Sequence, residues 1–319
     1  MTILVVGDAN TDLSAALVRF PAEGDDTQIS ALEWGSGGSA ANVAAALGRL
    51  GAPACLFARV GTDPAATVAL RAVRDAGVDL GAIQTDPTIA TGLCYAAVSP
   101  GGDRTFFSFR GANVALAPAP AALLGQARWL HVAAHALLEG QQRATTRALI
   151  DAALARDLPV SLDLCLPTLR AWRAEVEALL PNLALLFANE LELAELCPGL
   201  APDAAADRLV RGGLPLAAIK LGARGCLLAA PGTHQRVPAF DVAALDTNGC
   251  GDAFVAGFLH AHLRGASLDR CATLANALGA LTATRYGAAE ALPERGALLA
   301  FLRGCGADIV AELLDPAGA

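Results

Sequence analysis

The stretch of the chain richest in chemistry reads Asp246-Thr247-Asn248-Gly249-Cys250-Gly251-Asp252-Ala253-Phe254, followed by VAGFLHAHL. Three small residues lead into an amphipathic helix. The amides of Gly249, Cys250 and Gly251 would point outward at the helix start, where unpaired N–H groups and the macrodipole favour an anion. Glycine also lets a phosphate come close to the backbone. Asp252 falls in the first helical turn, beside that anion position. A carboxylate there repels a static anion. It makes sense if its task is to take a proton from an attacking hydroxyl. The same letters spell an ordinary capped helix start after a glycine-rich turn, and local sequence alone does not separate the two.

Other polar residues stand where a ligand site could form. Asn10 and Asp12 follow the first apolar run, and their short side chains suit sugar hydroxyls or, equally, turn chemistry. Gly37 and Gly38 would let backbone approach a ligand, with Asn42 one helix turn on; a tight turn before a helix explains them too. Asn189 and Glu192 are three apart and face one side of a helix turn. With Glu190 and Glu195 beside them, an exposed acidic helix is the alternative reading. Lys220 is the sole lysine of the chain, at the head of Lys220-Leu221-Gly222-Ala223-Arg224-Gly225. Asn276 lies in an Ala/Leu-rich helix and, if buried, needs a hydrogen-bond partner.

Several patterns point elsewhere. His131 and His135 are spaced i, i+4 as in zinc sites, but no Glu stands at the second position of an H-E-x-x-H pattern. The spacing suits one packed histidine and one at a pocket edge, while His260 and His262 decorate a helix face. Gly35-Ser36-Gly37-Gly38-Ser39-Ala40 fits the dinucleotide fingerprint G-x-G-x-x-A, which would make the chain an NAD(P) oxidoreductase. That reading has no acid at the end of the next strand, where Arg59, Val60 and Gly61 stand, and leaves 246–254 unused. No G-x-x-x-x-G-K-[ST] occurs, so a P-loop kinase is excluded.

The elements that must position these residues follow from periodicity. Short apolar runs at 3–6, 54–60, 129–133, 160–164, 183–188 and 217–221 read as strands. Between and after them, helices are expected at 39–50, 65–76, 142–156, 190–197, 204–211, 251–264 and 268–284, with a last one starting at 297. Such β-α alternation implies a mostly parallel sheet with helices on both faces, an α/β fold. Ligands of such sheets sit beyond the C-terminal strand ends. Segments 13–34 and 89–113 read instead as hairpin material, the second with a Pro100-Gly101-Gly102 turn. The division expected is a core of 1–12, 35–88 and 114–319 and a β lid of 13–34 and 89–113, the lid closing over a site.

Composition bounds the function. Of 319 residues, 54% are hydrophobic and 17% charged, ample for a buried core. The net charge of −8 argues against nucleic-acid or anionic-membrane partners, so a polyanion site must be built locally. The eight cysteines form no CxxC pair, the N-terminus MTILVVGDAN reads as a strand, and no apolar run is long enough to span a membrane. A reduced, cytoplasmic, soluble protein is expected.

DTNGCGDAFVAGFL resembles the second signature of the ribokinase-like (pfkB-type) carbohydrate kinases, DTxGAGDxF, with Cys250 for the usual Ala. GGSAAN at 37–42 resembles the first signature, Asn189-Glu190-Leu191-Glu192 the N-x-x-E motif, and 220–225 the K-x-G-x-x-G segment. Gly7-Asp8-Ala9-Asn10-Thr11-Asp12 resembles the opening motif, and the matches run in the family's order from residue 3 to about 295. The resemblance implies a three-layer α/β/α core with a small β lid. It further implies ATP-dependent phosphorylation of a primary hydroxyl on a sugar, or alternatively a nucleoside, with Asp252 as general base and Gly249–Gly251 as anion hole. Asn10, Asp12, Gly37, Gly38 and Asn42 would bind the acceptor. Lys220, Gly222, Gly225, Gly251, Asn276 and Asn189 would lie along ATP, and Asn189 with Glu192 would hold Mg²⁺ through water. Some related families bind K⁺ behind the anion hole, and the matching positions are Asp246, Asn248, Thr282, Arg285, Gly287 and Ala291. Many members pair into homodimers through their lids. Ribokinase itself has a Glu soon after the strand near Trp129. Ala133 and Ala134 stand here, with no Glu until Glu139, so the resemblance does not single out ribose. A sugar-binding regulator on the same fold would have no need of a base at Asp252.

Overall fold

The computed structural model describes residues 1–101, 103–120 and 122–314. The chain opens with β1 (Thr2–Val6), β2 (Asn10–Leu17) and β3 (Ile29–Gly37), then α1 (Ser39–Arg49) and β4 (Ala54–Phe57). There follow β5 (Arg59–Gly61), α2 (Pro64–Ala69), α3 (Arg71–Asp75), β6 (Gln84–Asp86), β7 (Gly92–Val98) and β8 (Arg104–Phe109). The middle of the chain supplies β9 (Ala127–Ala133), α4 (Gly140–Leu154), β10 (Val160–Asp163), α5 (Leu166–Leu179), β11 (Leu185–Asn189), α6 (Glu190–Leu196) and α7 (Pro202–Arg211). Last come β12 (Ala217–Lys220), β13 (Cys226–Ala230), β14 (Thr233–Val237), α8 (Cys250–His262), α9 (Leu268–Ala283), α10 (Arg295–Gly304) and α11 (Asp308–Ala311).

An eight-stranded sheet in the order β14-β13-β12-β11-β10-β9-β1-β4 forms the middle layer, parallel from β4 to β12 and antiparallel through β13 and β14. Its parallel strands are buried on both faces, which is why they read as short apolar runs rather than alternating ones. In β1, Ile3 and Val5 pack with residues of α1, α3 and α8 to α11, whereas Leu4 and Val6 pack with those of α4 to α7. Small side chains let α8 and α9 approach closely, with Ala253, Ala256, Ala261, Ala272 and Ala275 fully buried between them and the sheet. The result is the three-layer α/β/α arrangement expected.

A second sheet, β3-β2-β7-β8, projects from the first. Its strands start at Asn10 and run to Gly37, so it takes in residues 10–12 and 35–37, beyond the hairpin bounds read from sequence. It has a small core of its own, Ala15, Leu17 and Ala97. Ile29, Leu32, Trp34, Phe106, Phe107 and Phe109 are exposed. Gly102, the last residue of the turn expected at 100–102, lies outside the described residues. The run at 54–60 divides: β4 joins the main sheet, and β5 leaves it to pair with β6. The helix expected at 65–76 is two short helices meeting at Leu70. The β13–β14 pair turns at Pro231-Gly232, a hairpin signal the sequence reading passed over. Among the described residues, no helix is long and apolar enough to cross a membrane.

The C-terminal ends of the parallel strands bring polar residues to one edge of the sheet. Asp8 follows β1, Asp163 ends β10, Asn189 ends β11 and Lys220 ends β12.

Candidate active site

Along that edge the turn 246–249 leads into α8. Gly249 is the N-cap with φ 73°, a left-handed conformation, and a Cβ there would stand 3.1 Å from the Ala288 backbone. Both facts call for glycine. The Cys250 N–H bends back to Thr247 O at 3.3 Å, and Cys250 Sγ reaches Asp246 O at 3.7 Å. Burial, with Asp246 and Asp252 near, pushes the Cys250 thiol up to about 12, so it behaves as a small apolar residue in this turn.

Asp252 in the first turn of α8 is more than a cap. Ser39 Oγ donates to its Oδ1 at 2.6 Å, and Asn42 Nδ2 to its Oδ2 at 2.8 Å, both from α1. Burial lifts the carboxyl above the usual carboxylate range, against the opposing pull of these two hydrogen bonds and of the Lys220 and His135 charges. A carboxylate fixed in direction and raised in basicity is suited to accept a proton near neutral pH. Asn42, read from sequence as a ligand contact, therefore holds Asp252 with its amide, while its buried Oδ1 has no partner.

Lys220 Nζ donates to Asp163 Oδ1 at 2.6 Å. Burial disfavours the ammonium, but Asp163, Glu192 and Asp252 outweigh it and hold its pKa above the ordinary lysine value. Burial pushes Asp163 up, with Lys220 pulling the other way. Glu192 is likewise raised by burial. Three carboxylates thus surround one cation. Asn189 and Glu192 close a capping box: Glu192 N donates to Asn189 Oδ1 at 2.9 Å, and Asn189 N to Glu192 Oε2 at 2.7 Å. Glu192 is buried, not part of an exposed acidic face. Among the described residues, no three acidic, His or Cys side chains converge into a direct metal cage. The unbalanced negative charge fits a divalent cation held through water, as Mg²⁺ prefers.

Beside Lys220 opens a cavity of about 480 Å³ lined by Gly222, Gly225, Phe240, Thr247, Gly251 and Asn276 among others. Its size and largely apolar wall suit a nucleotide. Asn276 Nδ2 donates to Val237 O at 3.1 Å and Pro238 O at 3.0 Å, so its amide secures the cavity wall. An ordinary buried hydrogen bond is what the structure shows for that group.

On the other side of Asp252 lies β2. Gly37 stands opposite Asn10 in the β2–β3 register, and a Cβ at Gly37 would stand 2.1 Å from Asp12 Oδ1, so any side chain there would displace the Asp12 carboxylate. Gly38 caps α1. Asp12 Oδ1 is buried without a partner. Burial, Glu290 and Asp252 raise the Asp12 carboxyl to about 7. Asn10 Oδ1 accepts from Asn113 Nδ2 at 2.8 Å, and Asn113 Oδ1 in turn accepts from Ala9 N at 3.1 Å. Arg110 Nη2 donates to both oxygens of Asp8, at 2.9 and 3.0 Å, and to Gln142 Oε1 at 2.6 Å. Its Nε and Nη1 are buried and form no hydrogen bond.

The positions read as a cation site gather around Asp246. Its Oδ1 accepts from Arg104 Nη1 at 2.5 Å and Asn248 N at 2.9 Å, and its Oδ2 from Gly287 N at 3.0 Å. Burial opposes ionisation of Asp246, but these donors outweigh it and hold the carboxyl below the usual range. Thr282 Oγ1 donates within α9 to Leu278 O, and Arg285 is exposed.

The decoys resolve too. His131 is fully buried, its Nδ1 2.9 Å from Ser161 Oγ, and burial pushes its pKa down to about 3. His135 lies within electrostatic reach of Asp8, Arg110 and Asp252, as a pocket-edge histidine should. His260 and His262 do not decorate a surface. His260 Nε2 lies 3.1 Å from Leu313 O, and His262 packs on Trp129 and Phe258, because α8 is covered on all sides. Gly35–Gly37 end an antiparallel strand of the second sheet and Gly38–Ala40 open α1, so the fingerprint does not form the turn of a βαβ dinucleotide unit. Ser39, Asp163, Asn113, Gln142 and Asp8 enter the site without having been given roles from sequence. Asp8 and Asp163 carried a local signal, an acid closing an apolar strand, and Ser39 lay within the GGSAAN motif.

Residues 2–295 match the family described as pfkB family carbohydrate kinase. The chain is 34% identical over 300 residues to an ATP-dependent ribose-1-phosphate kinase of Halopiger xanaduensis, covering 94% of this chain and 97% of that one. It is 30% identical to fructokinase-1 of Oryza sativa, over 81% and 85% of the two chains. Among solved structures it superposes with TM-score 0.84 on an Arabidopsis thaliana ribokinase complexed with ribose and ATP, at 25% identity, covering 95% and 98%.

Proposed function

Because the chain belongs to the pfkB family of carbohydrate kinases, we propose that it transfers the γ-phosphoryl group of ATP to a primary hydroxyl of a sugar, with Asp252 as general base. The observation that carries this reading is the position of Asp252. It is oriented by Ser39 and Asn42, and it acts electrostatically on both Lys220 at the large cavity and Asp12 on β2. The nucleotide occupies the large cavity, with Lys220 and the start of α8 toward its phosphates. The acceptor lies against Asn10, Asp12, Gly37 and Gly38. Asp252 takes the proton of the attacking hydroxyl as the oxygen closes on phosphorus, and the helix start stabilises the charge that develops. Asn189 and Glu192 would hold Mg²⁺ through water, where it would add to the neutralisation of the phosphates.

Arg110 favours a particular acceptor. Its buried Nε and Nη1 form no hydrogen bond, and Nη1 has only the Glu139 carboxylate, 3.8 Å away. An acceptor bearing a phosphate, like the ribose 1-phosphate named for the Halopiger relative, would satisfy them; a neutral sugar has no charge to offer. The second sheet acts as the lid, and its exposed Ile29, Leu32, Trp34 and Phe106 to Phe109 region joins two copies into a homodimer. The eight cysteines are all free, as suits the cytoplasm where ATP is made.

ADP release with MgATP over ribose 1-phosphate, ribose, deoxyribose, fructose and adenosine tests the assignment, with calorimetry for MgATP and NAD(P). MgATP binding and turnover of a sugar are expected, ribose 1-phosphate best. NAD(P) binding without MgATP binding refutes the proposal, and adenosine turnover alone shifts it to a nucleoside kinase.

A further inference from the structure

The residues present do not fit the monovalent cation that the family resemblance implies, and the misfit has a specific form. A K⁺ site needs several oxygens turned toward one point. Here the Asp246 side chain, 3% exposed, already accepts three N–H donors, one of them the Arg104 guanidinium at 2.5 Å. The Thr282 carbonyl accepts from Arg285 N at 3.2 Å, and the neighbouring Ala283 carbonyl accepts from Leu245 N at 2.7 Å and Asp246 N at 3.2 Å. A second cation placed against Asp246 would also meet the charge of Arg104, which is itself largely buried.

Resting on the kinase reading above, we infer that Arg104 is a tethered cation: its guanidinium, delivered by β8, does for Asp246 what a bound K⁺ would do. A buried carboxylate without a counter-charge is costly and pulls its surroundings toward solvent or toward any cation. Asp246 is worth holding still because of what it grips. Its oxygens fix Asn248 N and Gly287 N, one residue before Gly249 and one before Ala288. Gly249 packs on the Ala288 backbone. The carboxylate thus ties the turn that starts α8 to the loop behind it, and the charge of Arg104 keeps that tie ionised. Arg104 touches neither reactant in this arrangement and is a positioning residue. Arg104 stands on β8 of the second sheet and Asp246, 142 positions on, in the turn before α8, so the anion-binding turn is fully braced only while β8 lies over the site.

The test compares wild type, Arg104→Ala and Arg104→Gln in buffers whose only monovalent cation is tetramethylammonium, with and without saturating KCl. Two readouts are taken: MgATP affinity by calorimetry, and kcat with the best acceptor of the sugar panel. The calorimetric arm stands even if no acceptor on the panel is turned over, so failure of the substrate reading and failure of this inference are told apart. Wild type should change less than about twofold on adding K⁺. Both variants should lose roughly tenfold or more in MgATP affinity or kcat without K⁺, the scale expected when a buried carboxylate loses its partner, and should recover most of it with KCl or with guanidinium. Strong activation of wild type by K⁺ overturns the inference, as does a variant that is unaffected by the substitution or that stays impaired with either cation. Arg104→Gln keeps a donor at the site, so it decides the question should Arg104→Ala not fold.

Discussion

Replacing Asp252 by Asn separates the two roles its position allows. In the folded protein each carboxylate oxygen accepts one hydrogen bond, from Ser39 Oγ at 2.6 Å and from Asn42 Nδ2 at 2.8 Å. An amide in place of Oδ2 would face a donor, but Asn42 can turn its carboxamide over and offer the Oδ1 that now has no partner. Both hydrogen bonds then survive, and stability should stay within about 1 kcal/mol of wild type, the worth of one neutral hydrogen bond. The raised folded pKa works the same way. A carboxyl raised by folding contributes stability at low pH and loses it as pH rises, so at neutral pH removal of its charge does not weaken the fold. Catalysis is another matter. Without the base, kcat should fall by roughly 10²–10⁴, or about 3–5 kcal/mol in the barrier at ~1.4 kcal/mol per decade. MgATP affinity should hold or tighten. The acidic limb of kcat/KM, set in wild type above the ordinary carboxylate range, should vanish in the variant. Coupled ADP release, calorimetry and thermal melting read these quantities. A folded Asp252→Asn protein with near-normal turnover refutes the reasoning, and an equal loss of MgATP affinity refutes the claim that only basicity was removed.

Other outcomes follow from the same geometry. Asp12→Ala should raise the acceptor KM while MgATP affinity stays within about a factor of three, since one hydrogen bond to a hydroxyl is worth ~1 kcal/mol. With its folded value at about 7, above that of the unfolded chain, Asp12 takes up a proton on folding, so stability should fall as pH rises from about 4 to about 7. Asp12→Asn should flatten that fall in pH-dependent urea unfolding. Lys220→Ala should weaken MgATP binding and, by leaving Asp163 buried without its partner, destabilise the protein by about 3–5 kcal/mol. Adding Asp163→Asn should restore much of the stability and none of the MgATP affinity. Phe106→Asp with Phe107→Ser should convert a dimer to monomer in light scattering, with the monomer fold intact, because both side chains are about half exposed in the single chain.

The sequence by itself determined the α/β alternation and the main-sheet strands, since strands covered on both faces spell short apolar runs that survive without neighbours. It also made the 246–254 turn legible, because a left-handed Gly249 before a helix start is a local requirement written in three consecutive letters. It could not show that Asn42 faces Asp252, or that Lys220 joins Asp163. Nor could it show that Asn113 completes Asn10, that Arg104 reaches Asp246, or that His260 and His262 are enclosed. Those pairings span from 53 to 210 positions. A hydrogen bond between distant residues leaves no periodicity in the chain. Whether Asp252 was a cap or an oriented, desolvated carboxylate turned on Ser39 and Asn42 being carried to it by α1. That is decided by how α1 and α8 pack on the sheet, and by nothing within nine residues of Asp252 itself.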